Sequence, residues 1–219
     1  MSAMLVRAPG VYRPQPDTWL LARAMTEAAL PPGTRVLDAC TGTGALAIHA
    51  ARTGAAAVTA VDLSRTAVAS AWLNSRLRGV RLELLCGDVT RVVAGRTFDV
   101  IVANPPYVPS DDPAASRRSA RAWDAGRYGR SVLDPLCVMM PRLLDIGGTA
   151  LIVHSALSGP TTSLGQLRDG GLKATVVART MIPFGPVLAR RSGWLCDRGL
   201  IRPGQQHEEL VVIRADRTR

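Results

Sequence analysis

Apolar runs and polar, glycine-containing breaks alternate along most of the chain. Short runs rich in Val, Ile and Leu predict buried strands, and longer segments with apolar residues at the helical repeat predict helices. The predicted strands cover residues 34–39, 56–62, 80–88, 97–104, 149–155, 172–180 and 209–215. The first predicted helix runs from Asp17, which can cap it, to Pro31. Further helices are predicted over residues 44–54, 64–79, 132–148 and 161–171. This alternation predicts an α/β fold with a parallel sheet and helices on both faces.

Polar side chains directly follow the apolar runs of four predicted strands, at or near the strand ends. They are Asp38, Asp62, Asp88 and Asn104. In open parallel sheets, ligands bind at the carboxyl ends of the strands. The four positions therefore predict one binding site at that edge of the sheet.

Bulk composition restricts the class of protein. The chain has 219 residues, of which 47% are hydrophobic, and this suits a single domain over residues 1–219. No apolar run approaches the roughly 18 residues that a membrane helix needs, and the N-terminus has no signal-peptide pattern, so we expect a cytoplasmic protein without a membrane span. The four cysteines form no Cys-x-x-Cys pair, so we expect no bound metal and no disulfide framework.

The formal net charge is +10, and it comes almost entirely from arginine. A basic surface suits an anionic partner such as RNA, or a protein that works on RNA. The arginines are scattered rather than clustered, so codon composition explains the charge about equally well. An RNA contact stays open at this point.

A glycine-containing turn follows the first predicted strand in "VLDACTGTGALAI". It contains Asp38, Cys40, Thr41, Gly42 and Gly44. Glycines in such a turn permit tight backbone angles and let a ligand approach the main chain. The turn alone does not distinguish nucleotide-binding dehydrogenases from other nucleoside-binding folds.

Two further strand ends add specificity. Asp62, followed by Leu63, lies about 20 residues beyond the turn, where an acidic residue suits ribose hydroxyls. Asp88, followed by Val89, can accept a hydrogen bond from an adenine amine. These four residues complete the predicted binding site for an adenosine-containing cofactor.

The pattern resembles the class I S-adenosylmethionine-dependent methyltransferases, whose usual motif is acidic-x-Gly-x-Gly-x-Gly. Here Cys40 stands in place of the first glycine, and Gly42 and Gly44 follow. Glutamine methyltransferases of ribosomal proteins also resemble "D-x-C-T-G". The resemblance implies a Rossmann-like fold with a mostly parallel seven-stranded sheet, and S-adenosyl-L-methionine as the cofactor.

The segment "NPPY" comprises Asn104, Pro105, Pro106 and Tyr107 and is shared by enzymes that methylate planar, weakly nucleophilic nitrogens. The Asn104 side-chain oxygen and the Pro105 carbonyl can accept the two hydrogens of such a nitrogen and orient it. The two prolines keep the carbonyls fixed. The Tyr107 ring can stack on a flat substrate or shield a sulfonium. We predict that these four residues form the catalytic set, with Asn104 also beside the cofactor.

The start of the chain resembles a smaller group within the methyltransferases. "VYRPQPDTWLLARAM", Val11 to Met25, is similar to the opening of HemK-like protein methyltransferases, especially the short eukaryotic and archaeal release-factor branch. In that branch the segment covers the cofactor, which implies a covering segment over residues 1–30. The resemblance places Tyr12, Pro14, Asp17 and Thr18 at the methionine end of the cofactor.

Two later stretches bear on the substrate. "AWDAGRYGRSVLD" resembles the Trp-x-x-Gly-x-x-Gly-Arg loop of that branch, carried here by Trp123, Gly126, Gly129 and Arg130. We expect this loop to be a mobile lid that contacts substrate rather than cofactor, with Arg130 as a forked donor. Residues 181–206 have no firm counterpart in the family, and we expect them to form a hairpin insertion that shapes the substrate site.

The leading functional hypothesis is methylation of a protein side-chain nitrogen, with glutamine of a release factor first and lysine or a small amide or amine as further options. The alternative is an exocyclic-amine methyltransferase acting on adenine or guanine in RNA or DNA, which the charge supports. A third option is a non-catalytic binding subunit. The short branch also works with a small activator that pairs with an edge strand, and residues 81–86 would form that edge here.

Overall fold

The computed structural model describes residues 5–29, 31–111 and 122–218. Its centre is a seven-stranded sheet in the order β3-β2-β1-β4-β5-β7-β6. The strands are β1 (Arg35–Ala39), β2 (Ala57–Asp62), β3 (Glu83–Cys86), β4 (Phe98–Ala103), β5 (Leu144–Ser155), β6 (Lys173–Pro183) and β7 (His207–Asp216). Strands β3, β2, β1, β4 and β5 are parallel, and β7 runs antiparallel between β5 and β6. The predicted mostly parallel, Rossmann-like sheet is therefore confirmed.

Seven α-helices occur in the described part of the chain: α1 (Pro16–Glu27), α2 (Ala45–Arg52), α3 (Arg65–Leu77), α4 (Val89–Val92), α5 (Leu133–Leu143), α6 (Pro160–Asp169) and α7 (Pro186–Asp197). The Ser64 hydroxyl caps α3 by accepting from the Ala67 amide, as such a residue does at an N-cap. The predicted Asp17 cap is wrong, because α1 begins one residue earlier at Pro16, with Gln15 at the N-cap. No described helix is long and apolar enough to cross a membrane.

Side chains of the central strands point alternately to two apolar layers. Leu37 and Ile101 pack in the layer that contains α5, and Val36 and Val100 pack in the layer that contains α1 and α2. Because neighbouring strand residues face opposite sides, near-continuous apolar strands fill both layers. Each fully buried aliphatic side chain contributes about 1.5–3 kcal/mol to stability.

Strand register brings the predicted site residues to one edge of the sheet. Ala39 pairs with Val61 of β2 and with Ala103 of β4. The turn after β1 therefore lies between the ends of β2 and β4, which carry Asp62 and Asn104. The ends of β1, β2 and β4, which carry three of the four predicted polar residues, therefore lie side by side at one edge of the sheet.

The expected hairpin insertion at 181–206 is wrong in its secondary structure. Strand β6 continues to Pro183, and helix α7 fills the connection to β7. Leu188 and Leu195, two helical turns apart, are buried with Ile201 in a small separate apolar cluster. A proline is favoured in the first turn of a helix, so Pro186 marks a helix start rather than a hairpin turn.

Candidate active site

A cavity of about 930 Å³ opens between the carboxyl ends of the central strands and the segment before α1. Its walls bring together most of the residues that the sequence predicts for the site. These are Tyr12, Pro14, Asp17, Thr18, Cys40, Thr41, Gly42, Asp62, Leu63, Asn104, Pro105, Tyr107 and Trp123. The predicted residues that do not line it are Asp38, Gly44, Asp88, Val89 and Pro106, together with Gly126, Gly129 and Arg130 of the Trp123 loop.

The turn after β1 has a left-handed backbone at three positions. Cys40, Gly42 and Gly44 have φ values of 63°, 56° and 82°. A Cβ on Gly42 would meet nothing within 4 Å, so the main chain there is open to the cavity. A Cβ on Gly44 would lie 3.0 Å from the Ala71 Cβ, so this glycine allows α2 to pack against α3. The two glycines therefore serve different purposes.

Asp62 is fixed at the wall by two main-chain amides. Gly42 donates to its Oδ2 at 2.8 Å, and Ser64 donates to its Oδ1 at 2.9 Å. Burial raises the pKa of Asp62, and the hydrogen bonds from Ser64 and Gly42 oppose that rise. Each carboxylate oxygen keeps acceptor capacity for a further donor. The geometry can accept two neighbouring hydroxyl groups.

Asp38 and Asp88 stabilise the surrounding backbone. Asp38 is fully buried, and its Oδ2 accepts from the Thr41 hydroxyl at 2.6 Å and the Ala47 amide at 3.0 Å. Burial raises its pKa to about 7. Asp88 caps α4 by accepting from the amide and hydroxyl of Thr90. The adenine contact proposed for Asp88 and its neighbour Val89 stays a prediction.

Asp17 is the centre of a buried hydrogen-bond cluster. Tyr12 and Tyr107 donate their hydroxyls to its Oδ2 at 2.7 and 2.9 Å. Thr18 donates its amide and its hydroxyl to Oδ1. Burial and the charge of Asp17 raise the pKa of both tyrosines, so both remain hydrogen-bond donors. The segment before α1 is thereby connected to the NPPY turn.

Asn104 is oriented by the same cluster. Its Nδ2 donates to the Thr18 hydroxyl oxygen at 3.2 Å. Among the described residues, the hydrogen bond of the Asn104 side chain uses its Nδ2, and no bond uses its Oδ1. Asn104 lines the cavity beside Pro105. The side chain can therefore offer an acceptor to a bound N–H group.

The Trp123 loop is fixed to the chain that follows the NPPY turn. Val108 and Asp124 form a parallel bridge, with hydrogen bonds from the Val108 amide to the Trp123 carbonyl and from the Ala125 amide to the Val108 carbonyl. Trp123 lines the cavity. These bonds hold the loop against the chain after the NPPY turn, and Trp123 lies where a substrate could touch it. Movement of the loop as a lid stays a prediction.

The predicted role of Arg130 as a free forked donor is wrong. Its guanidinium is almost buried and forms an ion pair with Asp134 at 2.7 Å. Its other hydrogen bonds go to the Ser158 and Gly159 carbonyls, the Ser163 hydroxyl and the Gln166 side chain. All of these groups belong to the connection between β5 and α6 or to α6 itself. Arg130 thus secures the loop to the scaffold.

Comparison with known proteins agrees with this geometry. The model of the methyltransferase small domain family matches residues 4–118. The chain belongs to this family. A provisionally named protein N5-glutamine methyltransferase of Methanocaldococcus jannaschii is 34% identical over 177 residues, which cover 80% of this chain and 88% of that protein. The release factor glutamine methyltransferase of Deinococcus radiodurans is 37% identical over 187 residues, covering 82% of this chain and 66% of that enzyme, so the chain spans less than two thirds of this longer bacterial relative.

The fold of this methyltransferase matches solved structures over almost its whole length. The structure of the E. cuniculi Mtq2-Trm112 complex aligns with a TM-score of 0.62 at 23% identity, covering 95% of this chain and 99% of that one. The predicted HemK-like resemblance is confirmed by the sequence relatives, and the predicted class I fold by this structure. The protein is an S-adenosylmethionine-dependent methyltransferase.

The cavity residues fit the cofactor in two respects. Gly42 leaves open space where any larger residue would project a side chain into the cavity. Asp62 presents two fixed carboxylate oxygens beside that space, as a ribose requires. Cys40 also lines the cavity, but burial and the charge of Asp62 raise the pKa of its thiol, so it remains protonated and is not a nucleophile.

Three contacts near the site were not found by sequence reasoning. Arg191 of α7 forms an ion pair with Asp124 and also donates to the Pro109 carbonyl, and Trp194 donates to Asp111. These contacts join α7 to the loop that carries Trp123. Separately, Glu208 at the start of β7 is buried, and burial raises its pKa to about 7. An acidic residue at a strand start carries no distinguishing sequence pattern, and its burial is visible only in the structure.

Proposed function

We propose that the methyltransferase transfers a methyl group to the side-chain amide nitrogen of a protein glutamine, in a translation release factor. The observation that carries the proposal is the acceptor oxygen of Asn104, which is unpaired within the described chain and lines the cavity beside Pro105. The two sequence relatives described above are named for glutamine methylation, and one for release factors. An acceptor at this point suits a nitrogen that carries hydrogens.

The chemistry of an amide explains why such acceptors are needed. The lone pair of an amide nitrogen is delocalised into its carbonyl, so the nitrogen is a poor nucleophile. We propose that Asn104 Oδ1 and the Pro105 carbonyl accept its two hydrogens and hold its lone pair toward the methyl group. S-adenosylmethionine supplies that methyl group in electrophilic form. As the new N–C bond forms, the S–C bond breaks with its electron pair on sulfur, and the nitrogen then releases one proton to solvent.

No cavity residue needs to act as a strong base in this scheme. Burial raises the pKa values of Tyr12, Tyr107 and Cys40, so none of them takes up a proton near neutral pH. The nitrogen becomes acidic once it carries the methyl group, so its proton leaves without assistance. Orientation by Asn104 and Pro105 is therefore the main contribution of the NPPY turn, and Pro106 and Tyr107 keep that turn rigid.

The residues that line the cavity suggest which of them bind the cofactor. We propose that Asp62 binds the ribose hydroxyls, with Leu63 beside the nucleoside, and that the Cys40–Gly42 turn approaches the cofactor through its main chain. Tyr12, Pro14 and Thr18 would lie at the methionine end. Asp38 and Gly44 support this surface from behind without lining it.

We also propose a small partner subunit at the outer edge of the sheet. Strand β3 is at that edge and pairs only with β2 among the described strands, and Leu84 and Leu85 are half-buried. The structural neighbour Mtq2 is seen in complex with Trm112. An edge strand with apolar side chains can pair with another chain. If the isolated protein is monomeric, stable and fully active, no such subunit is required.

The test is methyl transfer from labelled S-adenosylmethionine to separate substrates. A release factor, a lysine-rich protein, an RNA and a small aromatic amine are incubated with the enzyme, and mass spectrometry locates the methyl group. The proposal expects one methyl group on a glutamine side chain of the release factor. The net charge of +10 favours RNA as the second candidate, and label on adenine or guanine alone would replace the glutamine assignment.

A further inference from the structure

We propose that Thr18 is a positioning residue that fixes the orientation of the Asn104 amide, and that Asp17 sets the direction of this arrangement. The proposal rests on the proposed function, because it specifies how Asn104 presents an acceptor to the substrate nitrogen. It is carried by a continuous chain of hydrogen bonds from Asp17 to Thr18 to Asn104.

The direction of the chain follows from counting hydrogens. The Thr18 hydroxyl has one hydrogen, and the Asp17 carboxylate has none to give. The Thr18 hydroxyl therefore donates to Asp17 Oδ1, at 3.1 Å. Its oxygen can then only accept from Asn104, at 3.2 Å. The amide atom that faces Thr18 must be the nitrogen, so the oxygen of Asn104 is left for the cavity.

Asp17 is itself held firmly. Its Oδ2 accepts from Tyr12 at 2.7 Å and from Tyr107 at 2.9 Å, and the residue is 2% exposed. Four donors surround the carboxylate, so it cannot turn to offer Thr18 a different partner. Tyr12 lies before α1 and Tyr107 follows β4, so the cluster also holds Thr18 against the NPPY turn.

The chain of bonds has an electronic consequence. A hydroxyl that donates to a carboxylate becomes a better acceptor, and an amide whose N–H is engaged has a more electron-rich carbonyl oxygen. Asn104 Oδ1 is therefore a stronger acceptor for a substrate N–H than an isolated asparagine would be. Without Thr18, the amide could rotate and present its NH₂ group, which repels the hydrogens of the substrate nitrogen.

The test compares Thr18→Val with Thr18→Ser. Valine keeps the shape and removes the hydroxyl, whereas serine keeps the hydroxyl. In the protein without cofactor, the Asn104 side-chain NH₂ signals in nitrogen-15 NMR are assigned by their loss in Asn104→Ala. We expect the hydrogen-bonded Nδ2 proton to shift upfield and exchange faster with water in Thr18→Val, and to be unchanged in Thr18→Ser.

The activity arm uses single-turnover transfer to a release factor at saturating S-adenosylmethionine. Thr18→Val should lower the rate by about tenfold, Thr18→Ser should restore it, and Thr18→Val should slow Asn104→Ala no further, because the two residues act as one unit. Unchanged NMR signals in Thr18→Val, or an equal rate loss in the Asn104→Ala background, would overturn the proposal. If the parent methylates no release factor, the proposed function fails, and the NMR arm still decides the role of Thr18.

Discussion

Arg191 and Asp124 form a two-pronged ion pair, with N···O distances of 2.5 and 2.9 Å. The Asp124 side chain is 3% exposed and that of Arg191 is 24% exposed. The pair joins α7, which occupies the connection between β6 and β7, to the loop that places Trp123 at the cavity. Helix α7 is thus attached directly to the wall of the cavity that carries Trp123.

Breaking this pair should destabilise the protein. Arg191→Met leaves the Asp124 carboxylate buried without its partner, which we expect to cost about 3 kcal/mol of unfolding free energy, the low end of the range for a buried pair. Arg190→Met is the matched control, because Arg190 is exposed on the same helix. Chemical denaturation measures both. Equal midpoints for the two variants would show that the pair contributes nothing.

Substitution of the two glycines in the turn after β1 should have different effects: one mainly on cofactor affinity and the other mainly on stability. Alanine at either position has an unfavourable positive φ, at a cost of about 1–2 kcal/mol. Gly44→Ala adds a crowded contact with Ala71, so its loss of stability should be the larger. Gly42→Ala projects a methyl group into the cavity, so it should weaken S-adenosylmethionine binding by about tenfold or more. Calorimetric binding beside thermal unfolding checks this, and the reverse ranking would contradict the assigned roles.

Asp62 should dominate the binding of the ribose. Asp62→Ala removes both carboxylate oxygens, and we expect a loss of about 2–3 kcal/mol in cofactor affinity, the range for charge-assisted hydrogen bonds. Asp62 also accepts from the Gly42 and Ser64 amides, so the unfolding midpoint is measured in parallel. Asp197→Ala, an exposed acid on α7, is the control. Calorimetry that shows the same affinity for both variants would exclude the ribose assignment.

Glu208 predicts a dependence of stability on pH. Burial raises its pKa from 4.5 to about 7, opposed by a hydrogen bond from Ser155 and reinforced by the charge of Asp17. Between these two values the folded protein holds a proton that the unfolded chain has lost, so the contribution of Glu208 to stability falls as the pH rises through this window.

Glu208→Gln removes this titration. The unfolding free energy of the variant relative to the parent should therefore rise by about 2–3 kcal/mol between about pH 5 and about pH 8. The raised pKa of Asp38 is common to both proteins and cancels in the difference. Parallel stability curves across this range would show that Glu208 does not titrate as described.

Much of the sheet and the cofactor side of the site could be predicted from the sequence. Parallel strands buried on both faces appear as apolar runs, and the polar residue that ends each run marks the binding edge. Asp62 and Asn104 were located in this way. Asp88 lies at the expected strand end, but its carboxylate accepts from Thr90 instead of lining the cavity. The position of a residue at a strand end can be predicted from the sequence, but the direction of its side chain cannot.

Long-range side-chain partners could not be predicted. In the sequence, Arg130 resembles a free substrate-binding arginine. In the structure, its guanidinium donates to the Ser158 carbonyl and to the Gln166 side chain of α6. Apart from the local ion pair with Asp134, these partners lie 28 to 36 residues along the chain, and no local pattern indicates them. Helix α7 was missed for a related reason. Glycines and prolines surround it and favour turns locally, and burial of Leu188 and Leu195 in the folded protein stabilises the helix instead.

The most direct test of the central claim, that Asn104 orients a substrate nitrogen, is single-turnover methyl transfer by Asn104→Ala with saturating cofactor and a release factor as substrate. The substitution leaves the strand, the prolines and the Asp62 contacts in place, so cofactor affinity should change little. We expect the rate of transfer to fall by about 10²–10³-fold, as for removal of one preorganised polar contact at a reacting centre. A rate equal to that of the parent enzyme would contradict the account, because the nitrogen would then be oriented without Asn104.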